Sequence, residues 1–485
     1  MKATSIFGGV QVFNILISII RSKFVAVLLG PTGMGIVGLL TSTTGFISAL
    51  TNFGLSISAV KDIAAANATG NESRIATVVI AFRRWVWITG ILGTLITLIL
   101  SPWLSELTFG NREYTLAFVW ISITLLFSQL TQGQFVILQG LRKLQYLAKA
   151  NITGSTIGLF IIVPLYYWFG IDAIVPVIIA TSFVSLMLSW YFANKVEIVR
   201  VKVSRVRTIA EGKNMLIMGF MISLSGLIGL GTAYIVRIYI SNQGGLADVG
   251  LYGAAFAIIN TYVGLVFNAM GTDYYPRLSS VAHSNELSKQ TINQQTEIAL
   301  LILGPFVIIF LIFIKWVVIL LYSNNFTAVD TMIHWAILGV LFKALSWALG
   351  IYLLAKGVGK LYFWNAILFE VFFLSINILG YKFGGLTGLG ISYLVGYLFS
   401  ALQVFIVCKI KYKFSFSPSV IHIFSIQFIL AISSFVAANF LNNPYPYLLG
   451  VIFIAFSTWY SYNELDKRLG IISILMNFKN KFYKK

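Results

Sequence analysis

The stretch Ser5–Gly35, SIFGGVQVFNILISIIRSKFVAVLLGPTGMG, carries the decision about fold class. From Ser5 to Leu29 it is almost wholly apolar, and Gly30 and Pro31 then stop the run. An α-helix of this length matches the roughly 30 Å hydrocarbon core of a bilayer. The run is too long for the apolar part of a cleavable signal and has no small-residue cleavage site behind it. It reads as a first spanning helix, with two cations, Arg21 and Lys23, held inside it.

Working outward from this stretch, the same pattern recurs to the end of the chain. About fourteen apolar runs follow one another, from 5–29 and 36–60 through to 419–441 and 445–463. Of the 485 residues, 58% are hydrophobic and 10% charged, a balance that cannot cover the surface of a soluble domain. The expected fold is all-α and polytopic. No loop is long enough to house a soluble domain, so any chemistry takes place inside the membrane or at its surface.

The formal net charge is +19. In a soluble protein such an excess would suggest nucleic acid. Here the cations collect in alternate loops, where they meet anionic lipid. With the N-terminus inside, the cytoplasmic segments hold Lys61, Arg74, Arg83, Arg84, Arg142, Lys143 and Lys149. They also hold the cluster from Lys195 and Arg200 to Lys213, then Arg277, Lys289, Lys356, Lys360 and Lys409–Lys413. Lys467, Arg468, Lys479, Lys481, Lys484 and Lys485 complete the tail, while the outer loops keep only Arg112 and Lys382. The expectation is a multi-pass protein of a bacterial inner membrane with both termini cytoplasmic. Cys408, the sole cysteine, excludes an internal disulfide and reads as a packed apolar residue.

The halves of the chain echo each other at an offset of about 215 residues: Gly30, Gly35 and Gly38 return as Gly245, Gly250 and Gly253. Arg21 returns near Arg237, and Gly140, Lys143 and Leu144 return as Gly357, Lys360 and Leu361. An offset of six helices keeps both copies in one orientation. The expected organisation is a six-helix lobe over 1–193, a basic cytoplasmic linker over 194–213, and a second six-helix lobe over 214–410. Helices 13 and 14 with a basic tail then fill 411–485. Two parallel lobes rocking around a central cavity is the arrangement expected for alternating access.

An ionisable side chain near mid-bilayer costs on the order of 3 kcal/mol, so it persists where it faces protein, water or ligand. The spans hold Arg21, Lys23, Arg237, Lys315, Lys343 and Glu370. Four of these, Arg21, Arg237, Lys23 and Lys343, are the candidate lining of a cationic cavity. A diphosphate is the natural ligand, because a guanidinium grips phosphate oxygens in pairs. The alternative for Lys23, Lys315 and Arg237 is snorkelling to the outer interface. Glu370 is a candidate for ion coupling by H⁺ or Na⁺, or the partner of Lys343 in a buried pair. Lys61 and Asp62 close the second span as Asp273 and Arg277 close the eighth, marking an inner gate or structural ion pairs.

His283, His334 and His422 have no metal-like spacing, and no phosphate-binding loop is present, so no metal, cofactor or ATP chemistry is expected. No outer loop could hold a polymerase or ligase site. Transport is expected over catalysis.

Three further pieces carry a family resemblance. They are Leu29–Gly35 behind the helix with Arg21 and Lys23, Tyr275–Ser279 after the eighth span, and Tyr322–Ala328 ahead of the helix with Lys343. Leu354-Ala355-Lys356, Tyr362 and Glu370 follow. Over residues 1–410 the chain resembles the Wzx-type O-antigen and lipid-linked oligosaccharide flippases. These form the polysaccharide branch of the multidrug/oligosaccharidyl-lipid/polysaccharide exporter superfamily. The resemblance implies a V-shaped pair of lobes and an undecaprenyl-diphosphate-linked glycan moved from the cytoplasmic to the periplasmic leaflet. Other polysaccharide assembly proteins are possible partners. The competing expectations are a cation-coupled multidrug exporter of the same superfamily and, further off, a membrane polysaccharide polymerase or ligase. The exporter would want acidic residues in its cavity, yet no carboxylate precedes Asp62.

Overall fold

The computed structural model describes residues 2–199 and 201–470. Arg200 and the tail residues Lys479, Lys481, Lys484 and Lys485 lie outside the described residues. All regular structure among the described residues is helical. Among the described residues ten helices are long and apolar enough to cross a membrane. Three of these, Phe13–Asn52, Leu144–Ala193 and Gly359–Tyr412, run 40, 50 and 54 residues. At 1.5 Å per residue the longest would extend about 80 Å, more than twice the hydrocarbon core. Each contains a break at a glycine in the left-handed region: Gly30 (φ 65°), Gly170 (φ 54°) and Gly385 (φ 55°).

The break at Gly385 is a hairpin. Ser392 donates to the Ile376 carbonyl at 2.6 Å, and the Gln403 amide reaches the Asn365 carbonyl at 2.9 Å. Gly380 and Gly388 face each other so closely that a Cβ on Gly388 would fall 1.8 Å from the Gly380 oxygen. Divided at the three glycines, the ten helices become thirteen apolar segments, and Tyr445–Leu469 is a fourteenth. The polytopic all-α expectation is met.

The repeat is written into the backbone more sharply than into the side chains. Gly30 and Gly245, Arg142 and Gly357, and Gly170 and Gly385 each lie 215 residues apart, and all six have positive φ. The middle pair closes the same kind of turn. Lys143 N–H bonds to the Leu138 carbonyl and Arg142 N–H to that of Gln139; Val358 and Gly357 do the same to Leu353 and Leu354. The sequence comparison set Gly140 opposite Gly357, whereas the backbone sets Arg142 there. Two crossed hydrogen bonds of this kind require a left-handed residue after the helix, and Arg142 takes that conformation at φ 56° without being glycine.

The chain forms two compact units, Met1–Gly253 with Leu320–Asn325 and Ala254–Ile319 with Phe326–Lys485. The first unit contains α1 (Lys2–Asn52), α2 (Leu55–Ala68), α3 (Glu72–Ile99), α4 (Ser101–Phe109), α5 (Thr115–Ile121), α6 (Ile123–Gly140), α7 (Leu144–Phe169), α8 (Ile174–Ala193) and α9 (Arg205–Gly244). It also takes in the first two turns of α10 (Leu246–Ala257). One of its cores gathers Leu55 and Ile63 from α2, Val78 and Phe82 from α3, Ile137 from α6 and Met215 from α9. Residues 205–213, assigned to the linker by charge, are the first turns of α9. Ser204 caps them by accepting a hydrogen bond from the Arg207 amide.

The second unit contains α11 (Val263–Ser280), α12 (Asn285–Leu321, up to Ile319), α13 (Asp330–Ala355), α14 (Gly359–Tyr412), α15 (Pro418–Phe440) and α16 (Tyr445–Leu469). Tyr274, Leu278, Leu349, Tyr352, Val404 and Cys408 pack one of its cores, so Cys408 is indeed a fully buried packing residue. Two polar clamps fix α15 and α16 to α12. Gln427 is buried between Ser461 (2.9 Å) and Ser457 (2.7 Å), against Gly304, where no side chain would fit. Nearer the other end, the Arg468 guanidinium holds Glu297 at 2.7 Å and Ser419 at 2.9 Å, and also binds Glu464.

Candidate functional site

The candidate residues of the first unit lie on α1, α2 and α9. Arg21 is nine residues before Gly30, and Arg237 is eight before Gly245. Each therefore stands about 12–13 Å along its helix from an equivalent glycine turn. Arg21 is exposed and lies within electrostatic reach of the buried Tyr166; Arg237 is half-buried. Among the described residues neither guanidinium is held by a hydrogen bond or an ion pair. Lys23, two residues on, is half-buried and does have a partner.

Beyond the Gly30 break a long seam begins, in which α9 and the start of α10 run against α1 and α2. At one end Gly35 and Gly250, counterparts in the repeat, bring backbones into contact. A Cβ on Gly35 would fall 1.9 Å from the Leu246 oxygen, and one on Gly250 would fall 1.9 Å from the Pro31 oxygen. Further along, the Tyr234 hydroxyl gathers the hydroxyls of Thr43 (3.1 Å) and Thr108 (2.8 Å). Gly54 then meets Gly219, and Ser58 donates to the Met215 carbonyl at 2.7 Å. The far end is closed by a two-armed ion pair of Arg74 with Glu211, one arm at 3.0 Å. Arg84 adds bonds to Thr208 and the Val203 carbonyl.

Asp62, expected at an inner gate with the exposed Lys61, lies in the field of that ion pair. Burial lifts its carboxyl above the usual range and the Glu211 charge adds to this, while Lys61 and Arg74 oppose it. Glu211 was missed by the sequence reading, hidden in a strongly basic segment; its signal is that it is one of two carboxylates, with Glu197, among many cations.

In the second unit Asp273 and Arg277 form a loose pair at 3.9 Å on one helix, both well exposed, and Arg277 also donates to Gln295 at 2.8 Å. Lys343, on α13, is differently placed. Its ammonium donates to the Asn260 side-chain oxygen Oδ1 at 3.1 Å and to the Tyr393 hydroxyl at 3.3 Å. The rings of Tyr397 (5.0 Å), Phe267 (5.7 Å) and Tyr393 (5.9 Å) surround it. Asn260 belongs to a single π-helical turn, Ile258–Tyr262, a geometry that re-aims side chains. Glu370 is half-buried and partnered on α14, the helix that also supplies Tyr393 and Tyr397. Asn260, Tyr393 and Tyr397 were not singled out in the sequence. Aromatic residues in an apolar run look like lipid-facing ones until the fold collects them.

A profile for a family described as polysaccharide biosynthesis protein matches residues 24–330, more than half of the chain. The chain belongs to this family. The matched residues take in the two pieces, Leu29–Gly35 and Tyr322–Ala328, on which the resemblance rests. Among solved structures, a multidrug resistance MATE family transporter of the MOP superfamily superposes with a TM-score of 0.70 at 16% identity, covering 82% of this chain and 94% of that one. The lipid II flippase MurJ superposes with a TM-score of 0.68 at 11% identity, covering 96% and 99%. At these identities the likeness establishes a shared fold. Curated proteins compared by sequence show no match. The family, the fold and the candidate spans support a multi-pass membrane protein of polysaccharide biosynthesis.

Proposed function

We propose that this protein is a flippase for an undecaprenyl-diphosphate-linked oligosaccharide, an O-antigen-like repeat unit, carried from the cytoplasmic to the periplasmic leaflet of a bacterial inner membrane by alternating access. The observation that carries this reading is the pair of unpartnered guanidiniums at equivalent places in the repeat, Arg21 and Arg237. A cation kept inside a span without a protein partner is costly unless a ligand or water faces it. A diphosphate answers that need better than a cationic drug, which these two charges would repel. The membership of the chain in a polysaccharide biosynthesis family supports the glycan.

Sugar hydroxyls and phosphate charges are prohibitively expensive in bare hydrocarbon. A hydrated cationic path removes that cost while the polyprenyl tail stays in lipid. In this reading Arg21 and Arg237 grip the diphosphate, with Lys23 and Lys343 adding positive potential. Glu370 is proposed as the group that couples movement to a cation gradient. Asp62 with Lys61, and Asp273 with Arg277, are proposed at the inner gate.

Complementation of a flippase-deficient strain tests the proposal. Arg21→Ala is expected to abolish surface polysaccharide while the protein still accumulates in the membrane by immunoblot. Normal surface polysaccharide from that variant would remove Arg21 from the path.

A further inference from the structure

At the end of the second unit opposite the Glu297–Arg468 clamp, α12, α13, α15 and the start of α16 enclose a polar pocket of about 310 Å³. Glu297 and Lys315 are eighteen residues apart on α12, so the two sites stand about 27 Å apart along that helix. Lys315 and Asp330 line the pocket with His334, Asn442, Asn443 and Tyr447. None of them has a role in the diphosphate path. A polar cavity enclosed by four membrane helices needs a reason to exist.

The floor of the pocket is incompletely satisfied. Asp330 Oδ1 is buried and accepts no hydrogen bond. His334 is 9% exposed; one ring nitrogen lies 3.0 Å from the Leu311 carbonyl, and Nδ1 makes no hydrogen bond of proper geometry although the Asn439 side chain lies near the ring. Buried polar atoms in native proteins are nearly always paired, so such groups beside a cavity point to a ligand. At the mouth, Lys315, Asn442 and Asn443 are exposed, and Lys315 stands within electrostatic reach of Asp330. Tyr447 is held in place by the Trp316 indole N–H at 3.0 Å and by the Phe313 ring at 5.8 Å.

The set of groups selects the ligand. A free anion would meet the Asp330 carboxylate, and a free cation would meet the Lys315 ammonium. A neutral ligand rich in hydroxyls suits both, because each hydroxyl donates to the carboxylate or imidazole and accepts from the ammonium or an amide. The volume is at the lower end for small-molecule sites, about 300–1,000 Å³, enough for one sugar ring. We propose that this pocket is a binding site for a single neutral monosaccharide unit. The source of that sugar, the glycan on its lipid carrier, rests on the flippase reading; the chemistry of the pocket does not.

Calorimetric titration of the full-length protein in nanodiscs tests this. The probes are hexoses, deoxyhexoses and N-acetylhexosamines, with inorganic phosphate, sodium chloride and magnesium chloride as ionic probes. At least one monosaccharide is expected to bind saturably in the millimolar range. Asp330→Ala and His334→Ala are expected to weaken it at least tenfold. Asn442→Ala and Asn443→Ala, on the exposed rim, repeat the test with little demand on folding. Saturable binding of no sugar, sugar binding indifferent to all four substitutions, or phosphate or magnesium binding lost in their place would overturn the proposal. Arg21→Ala is expected to leave sugar binding intact, so failure of the flippase reading and failure of the pocket give different results.

Discussion

The two units treat positive charge inside the membrane in opposite ways. In the first, Arg21 stands on α1 before the Gly30 break, within electrostatic reach of Tyr166, and Arg237 stands on α9; among the described residues neither guanidinium is given a hydrogen bond or an ion pair. In the second, Lys343 is enclosed by an amide, a phenol and three rings. Desolvating an ammonium is costly, and the Asn260 and Tyr393 oxygens with the ring faces offset that cost. The unpartnered cations contribute little to stability and remain available to a ligand. The enclosed one is part of how its unit holds together, and in the proposed path it adds potential at a distance without gripping the ligand. Stability and transport are therefore expected to separate along this line when the charges are removed.

The largest effect on stability is expected where backbones touch. Gly250→Ala would drive a methyl group to 1.9 Å from the Pro31 oxygen, a rigid neighbour. The seam must open, at a cost of about 3 kcal/mol, at the upper end for overpacking. Gly38→Ala is the control, because a Cβ there meets nothing within 4 Å. Denaturant unfolding in mild detergent should show Gly250→Ala strongly destabilised and Gly38→Ala unchanged or slightly improved. Equal stability of the two variants would mean that the seam is not tightly packed.

The next effect tests the contrast between caged and free cations. Lys343→Ala strands the Asn260 oxygen and empties a space between three rings, so a loss of about 2 kcal/mol is expected. Arg21→Ala should cost about 0.5 kcal/mol or less, as for other exposed positions. If both variants lose the same stability, the distinction between the units fails. If Lys343→Ala alone is destabilised while Arg21→Ala alone loses flipping, the distinction is sharpened.

Much of the fold was legible because the bilayer imposes it. Apolar runs of fixed length gave the spans, and the glycines at offset 215 gave the repeat. Gly30 and Gly245 matter through a positive φ and Gly35 and Gly250 through close backbone approach, so their recurrence is a backbone signal carried by composition. Arg142 shows the boundary of this logic. It holds the same left-handed turn as Gly357 but leaves no trace in the residue type. The helical start of α9 within the basic linker was not legible for a related reason. Positive charge marks sidedness, not secondary structure, and Ser204 was the cap that charge concealed. The candidate site was legible as a set of charges and illegible as a set of partners. Lys343 stood out in an apolar run, whereas Asn260, Tyr393 and Tyr397 acquire meaning only when α11, α13 and α14 pack together.

The smallest effect concerns the clamp that fastens α16 to the rest of the second unit. Hydrogen bonds from Lys467 and Arg468 hold the Glu464 carboxyl below its ordinary range. A carboxylate depressed in the folded state stabilises that state fully above its unfolded value, near 4.5, and the contribution fades as pH falls through the lower folded value. Glu464→Gln should therefore be less stable than the parent chain at neutral pH, by about 1 kcal/mol or less for so accessible a pair. The gap should narrow once pH falls below the unfolded value and close as the parent carboxyl is protonated in the folded state too. Thermal unfolding of both proteins from neutral pH down through that titration checks this, and a gap that widens on acidification would show that Glu464 is not what holds Arg468. Since Arg468 also binds Glu297 at 2.7 Å, the remaining pair is expected to keep α16 docked in the variant, which is why this effect ranks below the others.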